Sequence, residues 1–112
     1  MTQETKDMII KFRDERNWKQ FHNPKDLALS LSLEAAELLE VYQWSGTDLE
    51  CADKIDKVRE ELADVMIYCT LLADAYNLDI TEIIRNKIKS NSEKYPVEKS
   101  FGSAAKYTEY EE

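Results

Sequence analysis

The stretch LSLEAAELLEVYQW, residues 31–44, decides the reading of the fold. Leu, Ala and Val recur through it, and helix formers fill nearly every position. It runs back to Asn23-Pro24, an N-cap residue followed by proline at the first helical position. It runs forward to Ser45-Gly46, where glycine suits a left-handed stop. The pattern predicts a helix over residues 24–44. Glu34 and Glu37 lie three apart on it, and Glu34 shares its face with Leu27, Leu31, Leu38 and Val41. A carboxylate on a largely apolar face is solvated, paired, or holding a cation.

Working outward, the spacing of Met8, Ile9 and Phe12 predicts a first helix over about residues 4–16. The connector NWKQFHN, residues 17–23, is rich in rings: Trp18, Phe21 and His22. A polar connector, TDLECAD, leads from the second helix to a third at about residues 53–77. Its expected seam is Ile55, Val58, Leu62, Val65, Cys69, Leu72 and Tyr76. Asp79-Ile80-Thr81-Glu82 resembles a capping box and opens a fourth helix to about Lys94, with Pro96 as its stop. Residues 96–112 read as a polar tail. The chain is expected to be one all-α, four-helix-bundle-like domain over residues 1–112. Leu27, Leu29, Leu31, Leu33, Leu38, Leu39 and Val41 cover more than one side of the second helix. A dimer or dimer of dimers is therefore expected to bury the second face.

Composition narrows the function. The 112 residues carry a net charge of −8, which argues against nucleic-acid binding driven by Lys and Arg on phosphates. It leaves room for a phosphate substrate held through divalent cations, which reverse the local sign of the field. The N-terminal MTQETKDMII has no signal-peptide layout, and no apolar run is long enough to span a membrane. Cys51 and Cys69 lack CxxC spacing, so a reduced cytoplasmic protein is expected.

Glu61 and Asp64 on the third helix repeat the three-residue spacing of Glu34 and Glu37. Residues i and i+3 lie about 60° apart on a helical wheel, so each pair shares a face. Two such pairs on packed helices bring four carboxylates together, an oxygen-rich set suited to Mg²⁺ or Mn²⁺. Either pair alone is common on a solvated helix. Their company is less common: Val58, Leu62 and Val65 flank Glu61, and no basic partner is expected on these faces. Glu40 and Glu60 point about 120° and 100° away from Glu34 and Glu61 and read as second-rank or solvated groups. A di-iron carboxylate bundle would need Glu-x-x-His on two helices, and the one histidine, His22, sits in a connector.

The order ExxE, a gap of 23 residues, then ExxD resembles the MazG-type all-α nucleoside triphosphate pyrophosphohydrolases. NWKQFHNP, EAAELLEVYQW, EELADVMIY, the Asn91-to-Pro96 segment and KYTE at residues 106–109 are similar to the small dCTP pyrophosphatase branch. The likeness is collinear from about Met8 to Glu109. It implies Mg²⁺-dependent cleavage of a deoxynucleoside triphosphate, dCTP or a modified pyrimidine analogue, to monophosphate and pyrophosphate. It implies Glu34, Glu37, Glu61 and Asp64 as the catalytic metal ligands. It assigns Trp18, His22, Trp44 and Tyr68 to the base and sugar, although both tryptophans taken by composition read as core or interface anchors. Lys87, Asn91 and Tyr95 match positions that engage the triphosphate. Two departures stand out. Ser92-Glu93-Lys94 replaces a basic run, and Ile9 replaces a polar ring, which implies looser base selection. The competing readings are a non-catalytic helical interaction module with solvated glutamates, and a dUTP-preferring or broad-spectrum hydrolase of the same superfamily.

Overall fold

The structure, a computed structural model, describes residues 1–110. The last two residues of the expected tail lie outside this range. Five α-helices follow one another: α1 Gln3–Glu15, α2 Pro24–Glu40, α3 Ile55–Ala75, α4 Ile80–Lys94 and α5 Val97–Ser100. Short 3-10 turns occupy Trp18–Phe21, Ala52–Lys54 and Tyr107–Glu109. Among the described residues there is no strand, and no helix is long and apolar enough to cross a membrane. The chain divides into two units, Met1–Asn77 and Leu78–Glu112.

Local chemistry sets the helix starts. The Thr2 hydroxyl accepts the Thr5 amide at 3.2 Å, the Asn23 side chain accepts the Asp26 amide at 2.9 Å, and the Asp79 carboxylate accepts the Glu82 amide at 3.1 Å. Each satisfies a first-turn donor that the helix itself leaves free. Pro24 at the first helical position of α2 costs nothing there, because no carbonyl awaits its missing N–H.

The end of α2 differs from expectation. The helix stops at Glu40 instead of Trp44, and the amides of Val41, Tyr42 and Gln43 donate three residues back, to Leu38, Leu39 and Glu40. The carbonyl of Val41 instead receives the Lys54 ammonium at 3.4 Å and the Cys51 thiol at 3.8 Å. The Val41 carbonyl, which a continuing helix would give to the Ser45 amide, is thus held by Cys51 in the connector and by Lys54 just past it, while the Ser45 amide donates to Tyr42. Gly46 does take the left-handed conformation, with φ of +61°.

In the first unit α2 packs along α3, and α1 lies against α3. Leu27, Val41, Cys51, Leu71 and Ala73 form the buried apolar core. The expected α3 seam is only partly inward. Val58, Val65, Cys69 and Leu72 are half-buried, whereas Ile55, Leu62 and Tyr76 are exposed. Because α3 serves both α1 and α2, its fully buried residues, Glu61, Thr70, Leu71 and Ala73, are spread over more than one side of the helix. Arg13 is also buried, at 5% exposure, and fastens α1 to α3 by donating to Asp74 at 2.8 Å.

In the second unit the expected tail is partly ordered by packing. Tyr95, just past α4, meets the rings of Tyr107 and Tyr110 edge-on at 5.8 and 5.9 Å. Lys106 and Glu109 cap the last 3-10 turn, with the Lys106 amide donating to Glu109 at 3.0 Å.

Candidate functional site

Two antiparallel requirements meet where α2 lies on α3. The face must be apolar to pack, yet Glu34 and Glu61 occupy it. Glu34, Glu61 and Asp64 each bring a carboxylate oxygen within 4.8 Å of the others. Glu61 is 4% exposed, and one oxygen each of Glu34 and Glu61 is buried with no hydrogen-bond partner. Such atoms are costly unless something positive completes them.

Glu37 is exposed and flanks this trio. Hydrogen bonding to Glu61 and Glu34, followed by their negative charge, pushes its carboxyl up to about 7. Carboxylates this close share protons unless a cation separates them. Glu61 moves the other way, its pKa lowered chiefly by a hydrogen bond from Lys57. That bond corrects the expectation of no basic partner: Lys57 Nζ lies 2.8 Å from Glu61, one turn earlier on α3. The i,i+4 spacing was there to find it. Hard carboxylate oxygens, two of them buried and unsatisfied, fit a small divalent cation such as Mg²⁺ or Mn²⁺.

A cavity of about 560 Å³ opens beside the carboxylates, with Glu34 and Asp64 in its lining. Its walls come from α1 through Met8, Ile9 and Phe12, and from α3 through Met66, Ile67, Tyr68 and Leu71. Trp18 and His22 close it from the ring-rich connector, and Arg13 adds a buried cation. Trp18 is held by an edge-to-face contact with Phe12 at 5.8 Å. Asn17, with φ of 53°, turns the chain so that the 3-10 turn delivers Trp18 here. His22 has Nδ1 buried without a partner, and burial, then the Arg13 charge, lowers its pKa. It is the neutral imidazole at neutral pH.

The structure thus brings Glu34, Asp64, Trp18, His22 and Tyr68 to one cavity, with Glu37 and Glu61 at its acidic end. Trp44 is not in the lining and is 87% exposed. Lys87 and Asn91 are exposed on α4, and Tyr95 takes part in the tyrosine cluster of the second unit. Sequence reasoning missed Arg13, which reads as one more charge in KFRDER and whose partner lies 61 residues away.

The family model described as the MazG-like family matches residues 29–110. The chain is 39% identical over 103 residues to dCTP pyrophosphatase 1 of Mus musculus and 38% identical over 104 residues to that of Homo sapiens. Each match covers 88% of this chain and 61% of the relative, so the chain spans about three-fifths of the length of these curated relatives. Among solved structures, a pyrophosphatase from Archaeoglobus fulgidus superposes with a TM-score of 0.77 at 41% identity, covering 83% of this chain and 90% of that one.

Proposed function

This chain belongs to the MazG-like family, and from that premise we propose that it hydrolyses deoxynucleoside triphosphates to the monophosphate and pyrophosphate. The observation that carries the reading is the pair of buried, unsatisfied oxygens on Glu34 and Glu61 at the end of a ring-lined cavity. An acidic end suits a cation-bound triphosphate, and an apolar, aromatic body suits a flat base.

Glu34, Glu37, Glu61 and Asp64 are the ligands assigned to Mg²⁺, with Mn²⁺ as a substitute. The bound cation supplies charge neutralisation for the phosphate oxygens, the main demand of phosphoryl transfer. The remaining roles belong to the chain. Trp18 presents a ring face for stacking, backed by Phe12. The unpartnered Nδ1 of neutral His22 is free for a polar edge of the base. Tyr68 lines the same wall, seven residues after Glu61, and Asp64 fixes the acidic end beside it. Met8, Ile9 and Phe12 give the body of the cavity an apolar wall. Lys87, Asn91 and Tyr95 are assigned to the triphosphate, in keeping with the resemblance.

The preferred substrate is dCTP or a modified pyrimidine analogue, and the role is house-cleaning of the nucleotide pool in the cytoplasm, where Cys51 and Cys69 stay free thiols. We assign a homodimer or homotetramer. Leu29, Leu33 and Leu39 on α2 and Ile55, Leu62 and Met66 on α3 stand exposed on the single chain, together with Trp44. Exposed apolar patches of this kind mark partner surfaces.

The test is pyrophosphate release from a panel of deoxy- and ribonucleoside triphosphates, in Mg²⁺ and in EDTA. Mg²⁺-dependent release led by dCTP is the expected result. Release led by dUTP, or spread evenly over the panel, would move the assignment to another substrate class. No release from any triphosphate would leave the helices as an interaction module.

A further inference from the structure

One positive charge already touches the carboxylates. Lys57 sets its Nζ 2.8 Å from Glu61 and 3.8 Å from Glu60. Its side chain is 56% exposed while that of Glu61 is 5% exposed, so the ammonium reaches in from solvent to a buried carboxylate. It bonds one oxygen of Glu61, Oε1, and leaves Oε2 buried and unsatisfied, as is one oxygen of Glu34. Glu61 is thus at once the partner of Lys57 and a member of the trio in which Glu34, Glu61 and Asp64 each bring a carboxylate oxygen within 4.8 Å of the others.

A divalent cation arriving at this cluster meets a unit positive charge in direct contact with one of its ligands. We propose that Lys57 is a positioning residue that serves as a resident counter-ion, competing with the divalent cation for Glu61. When the cation is absent, the ammonium holds the Glu61 carboxylate in place through its 2.8 Å contact, so the acidic end is preformed. When the cation binds, the same ammonium opposes it and holds its affinity below what the carboxylates would give unopposed. The inference rests on the reading that these carboxylates hold a divalent cation. At such short range, and with water-like screening, a unit charge changes the affinity for a dication by roughly tenfold.

Nearby Arg59 provides the contrast. It pairs with Asp56 at 2.9 Å, and both side chains are largely exposed. Removing its charge alters the net charge of α3 equally while leaving Glu61 untouched.

The experiment is calorimetric titration of the full, cation-free chain with Mg²⁺ and with Mn²⁺. The wild type is compared with Lys57→Met, Lys57→Gln and Arg59→Met, and thermal melts are recorded with and without Mg²⁺. Lys57→Met and Lys57→Gln are expected to bind roughly tenfold more tightly than wild type and to gain more melting temperature from Mg²⁺. Arg59→Met is expected to stay within about twofold of wild type, because its charge is exposed and screened. Equal or weaker binding by both Lys57 variants overturns the inference, since Lys57 would then only brace the helix. An equal gain in Arg59→Met also overturns it, since net charge would account for the effect. No measurable binding by the wild type refutes the cation site itself, and that result is distinct from either of the others.

Discussion

Replacing Arg13 by methionine removes the charge that fastens α1 to α3 while keeping most of the apolar stem. Arg13 is 5% exposed and donates to Asp74 at 2.8 Å and to Asp14 at 2.9 Å. Breaking a fully buried pair costs about 3–5 kcal/mol, because the abandoned partner stays charged and dry. Here Asp74 is 26% exposed and Asp14 53% exposed, so water repairs part of the loss. A cost of about 2 kcal/mol follows. Unfolding entropy of about 2.1 cal/mol/K per residue gives roughly 0.24 kcal/mol/K for 112 residues. The melting temperature should therefore fall by about 8 °C. The assay is thermal denaturation of Arg13→Met, Asp74→Asn and the double variant, followed by circular dichroism. The two changes should couple, with the double variant less destabilised than the sum of the singles. Because α1 carries Met8, Ile9 and Phe12, the single variant should also raise KM for the triphosphate more than it lowers kcat. A fall under about 2 °C, or additive single effects, would refute the anchoring role of this pair.

Trp18→Ala should raise KM for the triphosphate roughly 5- to 100-fold, the usual worth of one ring stacked on a base, and steady-state kinetics reads it directly. An unchanged KM would return Trp18 to a packing role. His22 gives a pH dependence of definite sign. Its folded pKa lies below the unfolded value of about 6.5, so the unfolded chain takes up protons first as pH falls. The stability it contributes is present above that value and is lost on acidification. Melts of His22→Asn should thus decline less steeply than wild type between pH 7.5 and 5.5; parallel slopes would contradict the assignment. Finally, Leu33→Asp combined with Leu62→Asp should dissociate the assembly in sedimentation velocity, and a monomeric wild type would remove the proposed dimer.

Much of this was legible because its causes are local. Asn23 and Asp79 each bond an amide three residues on, so local spacing was enough to place the starts of α2 and α4, whereas the Thr2 cap of α1 was not read. The convergence of Glu34, Glu61 and Asp64 was legible for a related reason: two faces, each apolar around an acid, have few ways to pack. The end of α2 was not legible, since it depends on Lys54 and Cys51 reaching back to the Val41 carbonyl. The burial of α3 on more than one side was also missed, because a heptad seam assumes one partner helix and α3 has two. Arg13 shows the limit most plainly. Nothing in KFRDER separates it from Lys11 or Arg16, and only the approach of Asp74 makes it a core residue. Lys57 is the opposite case, a neighbour at i,i+4 that attention to apolar faces passed over.

The central claim is that the carboxylates on α2 and α3 hold the cation on which hydrolysis depends. Its most direct test is a Mg²⁺ titration of pyrophosphate release from dCTP by the wild type and by Glu61→Gln, with folding of the variant checked by its melt. The account predicts release that rises with Mg²⁺ in the wild type and falls by about 100-fold or more in a folded Glu61→Gln. Wild-type release unaffected by EDTA, or a folded Glu61→Gln with full activity, would contradict it.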